Sequence, residues 1–297
     1  MPMISMMFKK KWPLFILVLP TFVFMSIYLY YPFLMNIFNS FNTINGLGTA
    51  SEGLNTPFYL NYINMVKDPK IHIALKNSMI FMVCTIVFQV GFSVALALMV
   101  DGIGRKAEFF RTVYFFPIVI SATALGLMFN LIFLYKGGMV NSFLSYLGAS
   151  GSVDWKDSKH WLFTAMLPVM WQYVGFYFVI IETGLNNISE ELYEAARIDG
   201  ANQLQLVRFI KLPLIYNTVC TCIVLAITGS LKIFDLPWTM FPNGLPEDMS
   251  WLLGTYMYKQ TFIASDVDYG SAISLLIVVM GVIFAMIANK VFKEKDY

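Results

Sequence analysis

Six apolar runs without a single charged residue dominate this chain: roughly 13–37, 77–100, 112–134, 161–181, 212–231 and 271–289. A helix needs about 20 apolar residues to cross the hydrocarbon core of a bilayer. Lipid offers the backbone no hydrogen-bond partner, so such runs must be helices and an open sheet is excluded. A barrel would need short alternating strands, which continuous runs are not. The expectation is an all-α membrane protein with six transmembrane helices in a single transmembrane domain over residues 1–297. Of all residues, 58% are hydrophobic and only 13% are charged, against about 25% charged in a soluble domain. Contact with membrane lipid follows. No basic, aromatic-interleaved patch suggests nucleic acid.

Orientation is read from lysine and arginine, which are enriched in cytoplasmic loops. One set of flanks carries Lys9, Lys10, Lys11, Arg105, Lys106, Arg111, Arg197, Arg208, Lys211, Lys290, Lys293 and Lys295. The opposite loops are longer and carry Lys67, Lys70, Lys76, Lys136, Lys156, Lys159, Lys232 and Lys259. This density difference predicts a multi-pass cell-membrane protein with both termini cytoplasmic. The apolar run after Lys9–Lys11 is too long for the core of a signal peptide and reads as a retained anchor.

The cytoplasmic side then includes a polar island, 187–211, between two apolar runs. Asn187 and Glu190 have the spacing of a capping box, Glu190 and Glu191 suit a helix N-terminus, and Gly200 suits a helix stop. A second helical pattern begins near Ala201, and Pro213 falls at the start of the next span. Ala195 and Ala196 offer a smooth face for close approach of another protein, with Glu194, Arg197 and Asp199 as polar contacts around it. The plainer reading is a solvated loop with helix caps.

The spacing E-A-A-x3-G-x9-I-x-L-P, filled by Glu194, Ala195, Ala196, Gly200, Ile210, Leu212 and Pro213, resembles the coupling loop of type I ATP-binding-cassette (ABC) importer permeases. The longer string from Glu191 to Asn202 is similar to their carbohydrate-uptake branch and its MalF-like members. Phe110-Arg111-Thr112 leading to Phe116-Pro117, Gly138 with Asn141, Trp171-Gln172, Gly175-Phe176 and Phe234-Asp235 fit the same branch. The turn Phe241–Pro246 departs from its glycine-rich pattern. The resemblance covers about residues 12–295. It implies the MetI-like permease fold and a transport subunit rather than an enzyme. It also implies a second homologous permease, two ATPase copies, an extracellular solute-binding protein and a carbohydrate substrate of oligosaccharide type. No cofactor is expected in this chain: its sequence lacks a phosphate-binding G-x-x-x-x-G-K-[ST] loop, so ATP and Mg would be bound by the partner ATPase.

Polar and aromatic residues within the fourth and fifth runs are the candidates for a solute pathway: Gln172, Tyr173, Phe176, Tyr177, Gly229, Ser230 and Ile233. Aromatic faces with uncharged hydrogen-bonding groups suit sugars. The competing reading is interhelical glue, a common use of small and hydroxyl residues in membranes. Gln89, Ser93 and Asn130 read as packing or hydration residues, and Glu182 as an ordinary interfacial charge. Cys84, Cys220 and Cys222 read as small apolar packers. His72 and His160 have no partner pattern, so no metal or catalytic residue is assigned. The rivals are an ABC permease for a non-sugar solute and an ATPase-independent channel.

Overall fold

In a computed structural model, residues 11–104 and 106–292 are described. Lys9, Lys10, Arg105, Lys293 and Lys295, used above for orientation, lie outside the described residues, as do the side chains of Lys11 and Lys106. Among the described residues, five helices are long and apolar enough to cross a membrane, or six if one bent pair counts as a span. The chain divides into two compact units.

The first unit comprises the described part of Met1–Lys67 together with Gln260–Leu276. Helix α1 runs through Lys11–Met25, a π-helical stretch Ser26–Tyr30 and Tyr31–Phe41. Its apolar window buries nothing within the chain, as suits a helix solvated by lipid or by another subunit. A minimal antiparallel hairpin, β1 (Asn42–Thr43) with β2 (Gly53–Leu54), follows, then α2 (Leu60–Lys67). Polar side chains tie these pieces together. Asn36 donates to Ser274 Oγ at 2.8 Å, and Asn61 donates to the Ser40 carbonyl at 3.1 Å.

The second unit spans Asp68–Lys259 and continues from Ile277. Helix α3 (Pro69–Val100) contains a π-helical stretch, Thr85–Val90. Asp68 caps its start by accepting from the Lys70 amide at 2.8 Å. The expected third span, 112–134, is not one helix. It breaks into α4 (Lys106–Val119) and α5 (Ala122–Ile132), bent by 92°. Pro117 lacks an N–H and cannot close the helical bond to the turn before it, and Ser121 is extended, with ψ 132°. The periodicity of an apolar run does not reveal such a break.

Helix α6 (Met139–Tyr146) follows. Asn141 on it accepts from Trp155 Nε1 at 3.0 Å and donates to the Leu134, Tyr135 and Val153 carbonyls. That network gives the G-x-x-N pattern a structural use. Helix α7 (Trp161–Asn186) is 26 residues long, about 39 Å at 1.5 Å per residue, and packs centrally between α3 and α4. Gly175 permits the α4 contact: a Cβ there would lie 1.8 Å from the Tyr114 carbonyl oxygen. Ser93 on α3 donates to the Val174 carbonyl of α7 at 2.7 Å, in keeping with its packing role.

After α7 come α8 (Glu190–Ile198), α9 (Gln203–Leu206) and α10 (Tyr216–Leu231). Then follow α11 (Asp235–Met240), α12 (Leu253–Tyr258) and α13 (Val267–Val291).

Candidate functional site: two cavities and a short exposed helix

All seven residues singled out for a solute pathway line one cavity of about 400 Å³. Gln172, Tyr173, Phe176 and Tyr177 recur at helical spacing and form one stripe of α7. Gly229 and Ser230 come from the end of α10, and Ile233 from the break before α11. The volume falls within the roughly 300–1,000 Å³ of small-molecule sites. Its walls offer aromatic surface and amides: the Phe176 and Tyr177 rings meet edge-on at 5.2 Å, and Gln172 donates to the Ile120 carbonyl at 3.4 Å. Nothing stands within 4 Å of where a Cβ on Gly229 would be, so that wall is open. Ser230 Oγ, by contrast, donates to the Ile227 carbonyl of its own helix at 2.9 Å, which leaves it less free to serve a solute.

Sequence reasoning left Thr85 and Gln89 out of this lining. Gln89 donates to the Val169 carbonyl of α7 at 2.8 Å, so it does brace α3 on α7 while reaching the cavity. Both residues sit in the π-helical stretch of α3. Such bulges often occur at functional sites, but their signal is in the backbone rather than the residue pattern. Lys232 and Asp235 add one charge of each sign to the lining.

A second cavity, of about 480 Å³, lies under α8. The capping residue of α8 is Ser189, not Asn187, which ends α7. No side-chain cap bond is made at Ser189. The capping box of this loop instead lies at the start of α9, where Asn202 and Gln205 exchange bonds of 2.9 and 2.8 Å. The helix stop at Gly200 is built as the sequence suggests. Gly200 has φ +81°, its amide donates to the Arg197 carbonyl, and the Ala201 amide donates to that of Ala196. This is a Schellman ending, which requires a left-handed residue where glycine carries no Cβ penalty.

Helical geometry splits Glu194, Ala195, Ala196, Arg197, Asp199 and Gly200, the residues expected to couple to an ATPase, between faces. Glu194, Ala195 and Asp199 are exposed and point away from the cavity, together with Ile198, which is 86% exposed. Arg197 lines the cavity with Glu190 and Tyr193, and Ala196 is half-buried. Leu204 on α9 is 76% exposed. Ile198 and Leu204 are absent from the sequence assignment, although apolar residues in two short helices of a polar loop were the available signal.

Two ion pairs wall this cavity. Arg111 on α4 meets both carboxylate oxygens of Glu182 on α7, at 2.6–3.0 Å. Glu182 is buried, its side chain 4% exposed, and also accepts from Asn186 at 3.0 Å. The reading of Glu182 as an ordinary interfacial charge is thereby corrected: a bidentate guanidinium and an amide replace its water. Lys211 Nζ lies 2.5 Å from Asp101 Oδ2 and 5.3 Å from the ring centroid of Tyr193. The Tyr193 hydroxyl is buried without a hydrogen-bond partner among the described residues. Burial, and then the Asp101 charge, push its pKa up to about 12.

An apolar helical body with a cavity lined by rings and amides, and a short helix with an exposed outer face, fits an integral membrane protein. The chain belongs to the binding-protein-dependent transport system inner membrane components, whose family profile matches residues 105–295. It is therefore a transport subunit and a multi-pass membrane protein. Among its relatives, the probable ABC transporter permease protein YurN of Bacillus subtilis is 31% identical over 94% of this chain and 95% of its own length. The sulfoquinovosyl glycerol transport system permease protein SmoG of Agrobacterium fabrum is 26% identical over 95% of this chain and 90% of its own. Among solved structures, one chain of a bacterial ABC transporter involved in import of the acidic polysaccharide alginate superposes with TM-score 0.83. The two are 20% identical and each is 99% covered, which establishes the MetI-like fold.

Proposed function

We propose that this chain is the permease subunit of an ATP-driven bacterial carbohydrate importer. It shares the translocation pathway with a second, homologous permease and is driven by two copies of a separate ATPase that docks on the outer face of α8. The observation that carries the reading is that outer face: Glu194, Ala195 and Ile198 stand exposed on a helix ended by a Schellman turn. Exposed apolar groups rimmed by polar ones mark protein interaction sites. The lysine and arginine asymmetry supports a cytoplasmic location for this face and for both termini. An extracellular binding protein fits the family description. The cavity supports a carbohydrate substrate, since aromatic rings and amides line it and its two charges are of opposite sign. SmoG and the alginate transporter, named for sulfoquinovosyl glycerol and for a polysaccharide, agree with that class. ATP and Mg would be held by the ATPase alone.

The test is reconstitution with the second permease, the ATPase and the binding protein, followed by ATP hydrolysis measured against maltotriose, lactose and an alginate trisaccharide. Stimulation by at least one sugar, absent with peptides and polyamines, is the expected result. Stimulation by peptides alone would overturn the carbohydrate assignment. Solute flux through proteoliposomes of this chain alone would instead establish a channel.

A further inference from the structure

The outer face of α8 accounts for docking but not for how movement of α8 reaches the membrane body. Within α8 every residue is exposed except Tyr193 and Ala196, which are half-buried; Glu190 and Arg197 also line the cavity beneath, but Tyr193 is the one large side chain of α8 that is half-buried. Its ring lies over Lys211, whose ion pair with Asp101 is nearly buried, at 11% and 13% side-chain exposure. Asp101 closes the end of α3. Lys211 leads through Leu212–Leu214 into α10. One aromatic ring thus sits on the joint between two membrane helices that both line the solute cavity. Its hydroxyl is buried and has no hydrogen-bond partner among the described residues, an arrangement that costs free energy and that a phenylalanine would avoid. Asp101 and Glu182, both acceptors, line the cavity under α8 together with Tyr193.

We propose that Tyr193 is a positioning residue: seated on the Lys211–Asp101 pair, it carries displacement of α8 into α3 and α10, and its hydroxyl gains a partner in the second arrangement. This rests on the coupling role given to α8. A group unpaired in one state and bonded in the other supplies the differential interaction that a two-state element requires.

The experiment reads the solute cavity directly and needs no sugar. A cysteine at Gly229, where a side chain meets nothing within 4 Å, is placed in a chain with Cys84, Cys220 and Cys222 changed to alanine. The assembled complex with its second permease and ATPase is then treated with a water-soluble maleimide, with and without ATP and orthovanadate. With Tyr193 present the labelling rate should change about tenfold, within the usual range of coupling between sites. Tyr193→Ala should hold the ATPase in the complex yet respond by less than about twofold, and Tyr193→Phe, which keeps the ring, should fall between. A Tyr193→Ala complex that responds fully, or that loses its ATPase, overturns the proposal. Should Tyr193→Ala fail to assemble, Asp101→Asn with Lys211→Gln removes the seat without leaving a lone charge. The same loss supports the proposal, and a full response overturns it. Ala195→Arg, on the outer face, separates the two readings. If it releases the ATPase while Tyr193→Ala responds normally, only the role of Tyr193 falls. If it leaves the ATPase bound and the parent complex shows no response, the coupling role falls and takes this proposal with it.

Discussion

The two cavities of the second unit are similar in size and opposite in chemistry. The cavity between α7 and α10, proposed to pass the solute, is lined by rings and amides and carries a single charge of each sign. The other, under α8, is walled by Arg111–Glu182 and Lys211–Asp101. A passage for a solute must hold its cargo weakly and let it go, which uncharged groups permit. A mechanical joint must keep its register while moving, and a bidentate ion pair in a low dielectric fixes both distance and orientation. Volume alone would not distinguish them; the kind of polar group in the walls does.

The largest test of this contrast removes one half of a wall. Arg111→Ala leaves the buried Glu182 carboxylate without its guanidinium. It should cost about 3 kcal/mol, the low end for breaking a buried pair because Arg111 is itself partly exposed. Thermal unfolding in detergent should show it, and Arg111→Met with Glu182→Leu should recover most of the loss. Unchanged stability in Arg111→Ala would mean that the pair is not a strut. Next comes Gly200→Val. A β-branched residue at φ +81° costs roughly 1–2 kcal/mol and should uncouple ATP hydrolysis from uptake while the subunit still reaches the membrane. Normal uptake would detach the region around α8 from transport.

Effects on specificity rather than stability belong to the cavity between α7 and α10. Tyr173→Ala should change uptake of one sugar relative to another by about 1–2 kcal/mol in specificity, roughly what one pocket contact is worth, with stability nearly unaltered. Ser230→Leu should do so less specifically, because its hydroxyl is already used within α10. If uptake of every accepted sugar is untouched in both, the pathway lies elsewhere.

A last test sets a baseline outside both cavities. In the first unit, burial and the neighbouring Asp268 raise the pKa of Asp266 to about 6. Between its ordinary value, 3.8, and this raised one, the folded state holds more protons than the unfolded. This contribution to stability is therefore complete below about pH 4 and is lost as pH rises through about 6. Asp266→Asn should flatten that part of the stability–pH curve; an unchanged slope would refute the assignment.

Much of this was legible in the chain because the rules involved are local. An apolar run must be a helix in lipid, so the long helices follow from composition. The stop at Gly200 follows from a glycine after a short polar helix. The stripe Gln172–Tyr177 follows from spacing along one helix. What escaped depends on distant partners or on the backbone. Glu182 looked like an interfacial charge because Arg111 is 71 positions away in sequence. Gln89 looked like packing, and Thr85 went unnoticed, because a π-helical stretch turns their segment in a way that residue types do not encode. The 92° bend between α4 and α5 was hidden by an apolar pattern that continues across it, although Pro117 was in view. Asn187 and Ser189 both had capping chemistry, and the choice between them was made by where α7 ends.

The bare side chains of Ile198 and Leu204 have a consequence for the cell rather than for transport. A subunit made in excess of its ATPase would carry that greasy edge uncovered, and unmatched apolar surface of this kind is what proteases and chaperones sort by. The surface proposed to receive the motor would then also meter supply, so that orphan copies are cleared and the proportion of the chains is kept without a separate signal.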